Sequence, residues 1–282
     1  MKVIHILGHS PANTAYESGN SDQPPKTSDA REQDYAVKIG KFPFWVLFSK
    51  MDFHTKMAHE IQNLNPPFTQ ECWRPYFGLE DIYEKEIEHV IHKNFPSNKV
   101  SVGKYNFGEW SSELCNSIYK EISLGNVLFN LHGLHNHTIN RILLNCDLVN
   151  VPVVATQRGG NYPEFLLKKN PLFFFQYIIE KYKFPAIDKF QFQSKTSFNY
   201  FNNKLPSGKS TLFQDGIDFK FFYPVSKEEA RKKIGFSKDR KLILYVGTFT
   251  KNKGVDSLIS MFNILRKEFN NLDLILVGGS EK

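Results

Sequence analysis

Short runs of β-branched and aromatic residues, alternating with longer stretches of helical spacing, constrain this chain more than any other feature. The runs are Val3–Leu7, Val127–Leu131, Val151–Thr156, Lys189–Gln193, Leu242–Val246 and Leu272–Val277, each flanked by Gly or polar residues. Runs of that length and content read as buried strands. Helix candidates are Asp52–Asn63, Leu79–Lys93, Ser111–Ile122, Asn170–Lys183 and Gly254–Phe269. Strand–helix–strand succession requires right-handed crossovers and a mainly parallel sheet covered on both faces. The fold class is therefore α/β.

Two segments interrupt the alternation. Residues 17–34 are polar, include Pro24-Pro25 and follow the first strand. A loop of that length is either functional or disordered, and loops after the carboxyl ends of parallel strands face the ligand crevice. A substrate lid and plain disorder both fit. The second interruption, residues 216–226, carries Phe221-Phe222-Tyr223-Pro224 and separates two strand–helix series. A division follows: a first Rossmann-like domain over residues 1–224 and the start of a second over 225–282.

Charge sharpens the division. The chain carries a formal +7, and from Val225 onward twelve Lys or Arg stand against seven Asp or Glu, which places +5 in the second series. An anionic ligand such as a phosphate, or an anionic membrane surface, suits that balance; a merely soluble basic surface suits it equally. Cys72, Cys115 and Cys146 are odd in number and far apart, with no CxxC pair. Neither a disulfide framework nor a zinc ribbon is indicated, and a reducing cytoplasm is the expected location. The opening Met1–Gly8 run is too short for a secretory signal, and no apolar stretch of about eighteen residues spans a bilayer.

The densest chemical pattern begins at Leu242. A strand ends at Gly247, a polar loop Thr248–Lys253 follows, and Gly254-Val255-Asp256 opens a helix that leads to a second strand ending in Gly278-Gly279. Unpaired N–H groups and the positive end of the helix dipole favour an anion at Gly254. Lys251 and Lys253 would add charge there; alternatively they only solvate the loop. In the first series, the strand Val127–Leu131 runs into His132-Gly133-Leu134-His135-Asn136-His137. Three histidines so close invite a metal, but no Cys or carboxylate joins them at ligand spacing, so no metal is expected. A loop histidine satisfied by its neighbours is the alternative. Arg158 follows the next strand with Gly159-Gly160 beside it and points to the same crevice, or is only surface charge.

Together these stretches resemble the family-four glycosyltransferases, retaining enzymes built from two Rossmann-like domains (the GT-B type). Leu244-Tyr245-Val246-Gly247, then Lys253-Gly254-Val255-Asp256 with Leu258-Ile259, then Leu274–Gly278 is similar to the opening of that family's C-terminal domain. Gln214-Asp215-Gly216-Ile217-Asp218 with Phe222-Tyr223-Pro224 resembles its interdomain signature, with Asp215 where Asn is usual. Ala186–Ser194 resembles, more weakly, a strand that ends in Ser. The resemblance covers the chain from about residue 126 onward. It departs at Thr248, where the family has Arg, and at Gly8-His9-Ser10-Pro11-Ala12-Asn13, where the family has a Gly-Gly loop. A later pair of glutamates that holds the donor in the family would lie beyond Lys282, so the second domain is expected to be truncated.

The resemblance implies transfer of a sugar from a nucleoside-diphosphate donor to a glycan or lipid-linked acceptor hydroxyl, with retention. It implies a contact from Lys253 to the donor diphosphate and a catalytic contact from His132 to the sugar; Gly247, Thr248, Lys251 and Gly254 around Lys253, and Arg158 at its strand exit, are the further donor-binding residues expected from their positions, with Lys251 standing in for the family's Arg. No cofactor or metal is implied, and nucleic acid is not an expected partner. A cytoplasmic protein is the expected setting, either working at the inner membrane face on a lipid-linked acceptor or on a soluble acceptor. The alternatives are a non-catalytic relative or a nucleotide-sugar epimerase of the same architecture.

Overall fold

The computed structural model describes residues 1–7, 38–39, 42–43, 53–77, 79–102, 105–134, 137–148, 150–157, 173–214, 216–217, 219, 222–247, 249 and 253–278. They divide into two compact units, one running to Asp215 and the other spanning Gly216–Lys282. Both units are α/β with mainly parallel pairing.

The first unit opens with β1 (Lys2–Leu7), a minimal antiparallel pair β2 (Lys38–Ile39) and β3 (Phe42–Pro43), and helix α1 (Phe53–Gln62). It continues through β4 (Thr69–Phe77), β5 (Tyr83–Ile87), β6 (Val90–Val102), β7 (Tyr105–Trp110), α2 (Ser112–Leu124), β8 (Val127–His132) and α3 (His137–Asn145). The series closes with β9 (Val153–Gln157), α4 (Phe173–Tyr182), β10 (Lys189–Phe192), α5 (Lys195–Asn202) and β11 (Ser210–Leu212). Apart from the β2–β3 pair, these strands form one sheet in the order β11-β10-β9-β8-β1-β4-β6-β5, with β7 paired to β6. Every pairing from β11 across to β6 is parallel, and the β5 and β7 pairings are antiparallel.

Burial follows from that topology. Ile4, Ile6, Phe129, Leu131, Ala155, Phe190 and Phe192 form the sheet's share of the core, and Leu114, Ile118, Ile139, Ile142, Ile179 and Phe201 the helices' share. Helix α2 starts where sequence chemistry says it should: Ser111 Oγ accepts from Leu114 N at 3.1 Å, satisfying one of the unpaired N–H groups of the first turn.

Leu79–Lys93 is not a helix. It is the hairpin of β5 and β6, closed by Glu88-His89 with both residues at positive φ (45° and 65°). Its apolar spacing misleads for a physical reason. In a two-residue hairpin the residues flanking the turn are three apart and directly paired, as Ile87 and Val90 are here. A helix face uses the same i, i+3 interval. Such a turn favours Gly or Asn, since left-handed backbone costs other residues roughly 1–2 kcal/mol. His89→Gly is therefore expected to stabilise the first unit by about 0.5–1 kcal/mol, after Gly's own entropy cost is subtracted. Urea unfolding checks this, and destabilisation would contradict the assigned turn.

The second unit holds α6 (Lys227–Ile234), β12 (Lys241–Val246), α7 (Val255–Leu265) and β13 (Leu272–Val277). β12 and β13 pair in parallel around α7, which is the strand–helix–strand unit the sequence implied. Helix α6 carries no apolar stripe, yet it is bracketed by Ser226, whose Oγ accepts from Glu229 N at 3.1 Å, and by a left-handed Gly235. That Ser-x-x-Glu pattern is the sequence signal for its start.

Candidate functional site

The first unit's chain order places a topological switch at one strand boundary. From β1 the chain moves to β4 and β6 on one side, then returns to β8, β9, β10 and β11 on the other. Ligands of open parallel sheets bind outside the carboxyl ends of the strands at such a switch. The carboxyl ends of β1 and β8 meet there, with Leu7 paired to His132 and His132 paired in turn to Thr156 of β9.

His132 is 2% exposed. Its Nε2 lies 3.0 Å from Nδ1 of His5, and the two rings stack with centroids 5.2 Å apart. His5 Nε2 in turn lies 2.6 Å from Oε1 of Gln70 on β4, and Asn130 Nδ2 lies 3.4 Å from His5 Nδ1. Thr156 Oγ1 is 3.2 Å from Asn130 Oδ1, and 3.2 Å from Gln191 Oε1 on β10. A buried polar chain thus crosses four adjacent strands and β10 beyond them. Burial pushes His5 down to about 4, against the opposing hydrogen bond that Gln70 Oε1 accepts from it, because the low-dielectric interior disfavours the imidazolium. At neutral pH His5 is uncharged.

His5, Gln70, Asn130 and Thr156 were not among the residues the sequence singled out. The signal was present: a histidine inside Val3-Ile4-His5-Ile6-Leu7 is a polar group in a strand buried on both faces, where a partner is obligatory. Arg158 lies outside the described residues.

In the second unit, β12 ends at Gly247, whose N–H donates to Val277 O at 2.9 Å. Gly278 at the end of β13 has φ 143°, and a Cβ there would come within 1.8 Å of Gly247 O. The two strand exits therefore touch through bare backbone. Gly278→Ala is expected to cost about 1–3 kcal/mol from overpacking against immovable backbone. Among the described residues, Gly247→Ala would first meet the flexible tip of Tyr245 at 3.0 Å and should cost less. Thermal unfolding of both variants tests the order, and equal costs would contradict it.

Helix α7 begins at Gly254, in left-handed conformation with φ 72° and no side-chain cap. Gly254 therefore brings no side-chain oxygen of its own to the helix's first N–H groups. Lys253 stands exposed beside it, and Asp256 in the first turn supplies the opposing negative charge. Thr248 and Lys251 lie outside the described residues. Among the described residues no group of three or more His, Cys, Asp or Glu is placed to hold a metal ion.

Comparison with known proteins bears on this second unit directly. Residues 226–282 match the family described as glycosyl transferases group 1. The match contains β12, α7 and β13. No curated protein matches the chain. Among solved structures, one described as trehalose-6-phosphate from E. coli bound with UDP-2-fluoro glucose is similar over 99% of this chain, with TM-score 0.52 and 11% identity. A trehalose-6-phosphate synthase studied for glycosyltransfer with retention is similar over 99% of this chain, with TM-score 0.53 and 8% identity. At such identities the likeness shows the fold alone, an α/β architecture of GT-B type. The chain spans 65% and 64% of the length of those two chains.

Proposed function

We propose that this chain is part of a nucleotide-sugar-dependent glycosyltransferase that moves a sugar from a nucleoside-diphosphate donor to an acceptor hydroxyl with retention. The observation that carries the reading is the uncapped start of α7 at Gly254, inside the segment that matches group 1 glycosyl transferases. Backbone N–H groups with the helix dipole behind them suit a diphosphate. They also stabilise the charge that grows on a departing nucleoside diphosphate, without reorganising during the reaction.

In this reading Lys253 and the α7 terminus hold the diphosphate, with Gly247 permitting close backbone approach and Thr248 and Lys251 completing the loop. His132 and Arg158 orient the donor sugar. The position of His132 at the switch between β1 and β8 supports its part. Positive side chains and backbone dipoles stand in for a divalent cation, so chelator should leave activity intact. A glycan or lipid-linked acceptor at the cytoplasmic membrane face suits the basic second unit.

The second unit exposes large apolar side chains, with Leu244 62%, Val246 69% and Ile264 63% accessible. Strands and helices that present such faces ordinarily lie beneath further layers. This supports a longer second domain in the full-length protein, and poor donor turnover by residues 1–282 alone.

Titration of the full-length protein with UDP, GDP and ADP by calorimetry tests the reading. One of them should bind, and Lys253→Ala should weaken it roughly 10–100-fold, the worth of a hydrogen bond to a charged group. Nucleoside diphosphate should then be released from a nucleotide sugar only in the presence of acceptor. Release of none under any condition, with binding unaffected by Lys253→Ala, would overturn it.

A further inference from the structure

We infer that His5 is a positioning residue that holds His132 in one tautomer, with the proton on Nε2 and the lone pair on Nδ1. The inference rests on the proposed role of His132 toward the donor sugar and specifies the charge-neutral form in which it would act.

The assignment follows from the partners of His5. Gln70 presents Oε1, a pure acceptor, to His5 Nε2 at 2.6 Å, so that nitrogen carries the proton. Asn130 presents Nδ2, a pure donor, toward His5 Nδ1 at 3.4 Å, so that nitrogen carries the lone pair. A neutral imidazole has one N–H and one acceptor, and the two amides, on opposite ring nitrogens, agree on which is which. His132 Nε2, 3.0 Å from His5 Nδ1, must therefore donate, and neutral His132 is left with Nδ1 as its acceptor. Reversing the assignment would require both amides to turn over together.

The arrangement also sets which charge states the pair accepts. The one titratable group these contacts bring against His5 is His132; Gln70 and Asn130 are neutral. Protonation of His132 on Nδ1 leaves the contact with His5 intact, whereas protonation of His5 on Nδ1 would set donor against donor. His5 thus serves as a fixed acceptor, a part usually taken by a carbonyl or carboxylate beside a working histidine. Unlike a carboxylate, it brings no negative charge toward a site proposed to meet an anionic donor.

The test compares His5→Asn, whose amide oxygen can replace Nδ1 as acceptor, with His5→Leu, which removes the acceptor. In 15N-histidine NMR spectra, His132 Nε2 should be pyrrole-type and Nδ1 pyridine-type in the parent protein and in His5→Asn. In His5→Leu both nitrogens should shift toward averaged values. The second buried histidine pair, His59 with His92 at 2.9 Å, reports whether the fold is intact, and its signals should not move. In the full-length enzyme, His5→Leu should lower kcat/KM by about 10-fold, the scale of one hydrogen bond, and His5→Asn should recover most of it. In a His132→Ala background His5→Leu should add no further loss, because its effect passes through His132. Protonation of His132 on Nδ1 in the parent, or a tautomer unchanged in His5→Leu, would overturn the inference. Should the full-length protein turn over no nucleotide sugar, the transferase reading fails while the NMR result still decides the role of His5.

Discussion

Phe192→Ala should destabilise the first unit by about 3–5 kcal/mol, the usual cost of emptying a buried aromatic site. Phe192 is fully buried, stacked on Phe201 with centroids 5.0 Å apart and an interplanar angle of 11°. On the strand side it lies parallel to Phe190 at 6.1 Å, and Phe198 meets it edge-on at 6.4 Å. Phe184 completes the group, 5.7 Å from Phe190 and 6.2 Å from Phe201. Truncation at the centre of this cluster removes partners from β10 and α5 at once. Rigid rings with backbone on either side relax poorly into the space left. Phe174, 55% exposed on α4, is the control, and Phe174→Ala should change stability by no more than about 0.5 kcal/mol. Urea unfolding at neutral pH measures both. A cost below about 1 kcal/mol at Phe192 would mean that the aromatic cluster does not hold β10 to its helix.

Acid should weaken the first unit by about 3 kcal/mol through His5 alone, at ~1.4 kcal/mol per unit of pKa displacement. Folded His5 is held at about 4 against an ordinary 6.5. Between those values the unfolded chain takes up a proton that the folded chain refuses. The contribution is therefore fully present above about pH 6.5, declines as pH falls toward 4, and is gone below it. The groups facing His5 are His132, Gln70 and Asn130, so no carboxylate among them offsets the penalty. Unfolding free energies at pH 7 and pH 4.5 should fall further in the parent than in His5→Asn, which has no proton to bind. Equal losses in the two proteins would show that His5 is not the buried neutral group described.

The strand–helix alternation made much of this fold legible. All six apolar runs are strands, with ends within two residues of expectation, because a strand covered on both faces must be apolar on both. β4 escaped notice for the opposite reason. It is buried from Gln70 to Tyr76 yet contains Glu71, Arg74 and Pro75, and only its partners make that tolerable. Glu71 meets Lys2 at 3.2 Å, Lys93 at 3.7 Å and the Trp73 indole N–H at 2.7 Å, while Pro75 lies beyond the last residue paired with β1. Such compensation arises across the sheet and leaves no local pattern.

The candidate site was legible to a different extent in each unit. The glycine exits of β12 and β13 and the start of α7 are local turn chemistry, so the residues announced them. The polar chain runs from Gln70 through His5 and Asn130 to Thr156, with His132 joined to His5, and its direct contacts link residues up to 127 positions apart. Its members are ordinary in sequence, and sheet register alone assembles them. That is why His132 stood out, as a histidine at a strand exit, while its partner His5 did not.

The most direct measurement is a crystal structure of the full-length protein with UDP or GDP bound. The account predicts both phosphorus atoms beside the first-turn N–H groups of α7, with Lys253 Nζ within hydrogen-bonding reach of a phosphate oxygen. A nucleotide whose phosphates lie away from residues 247–255 would contradict it.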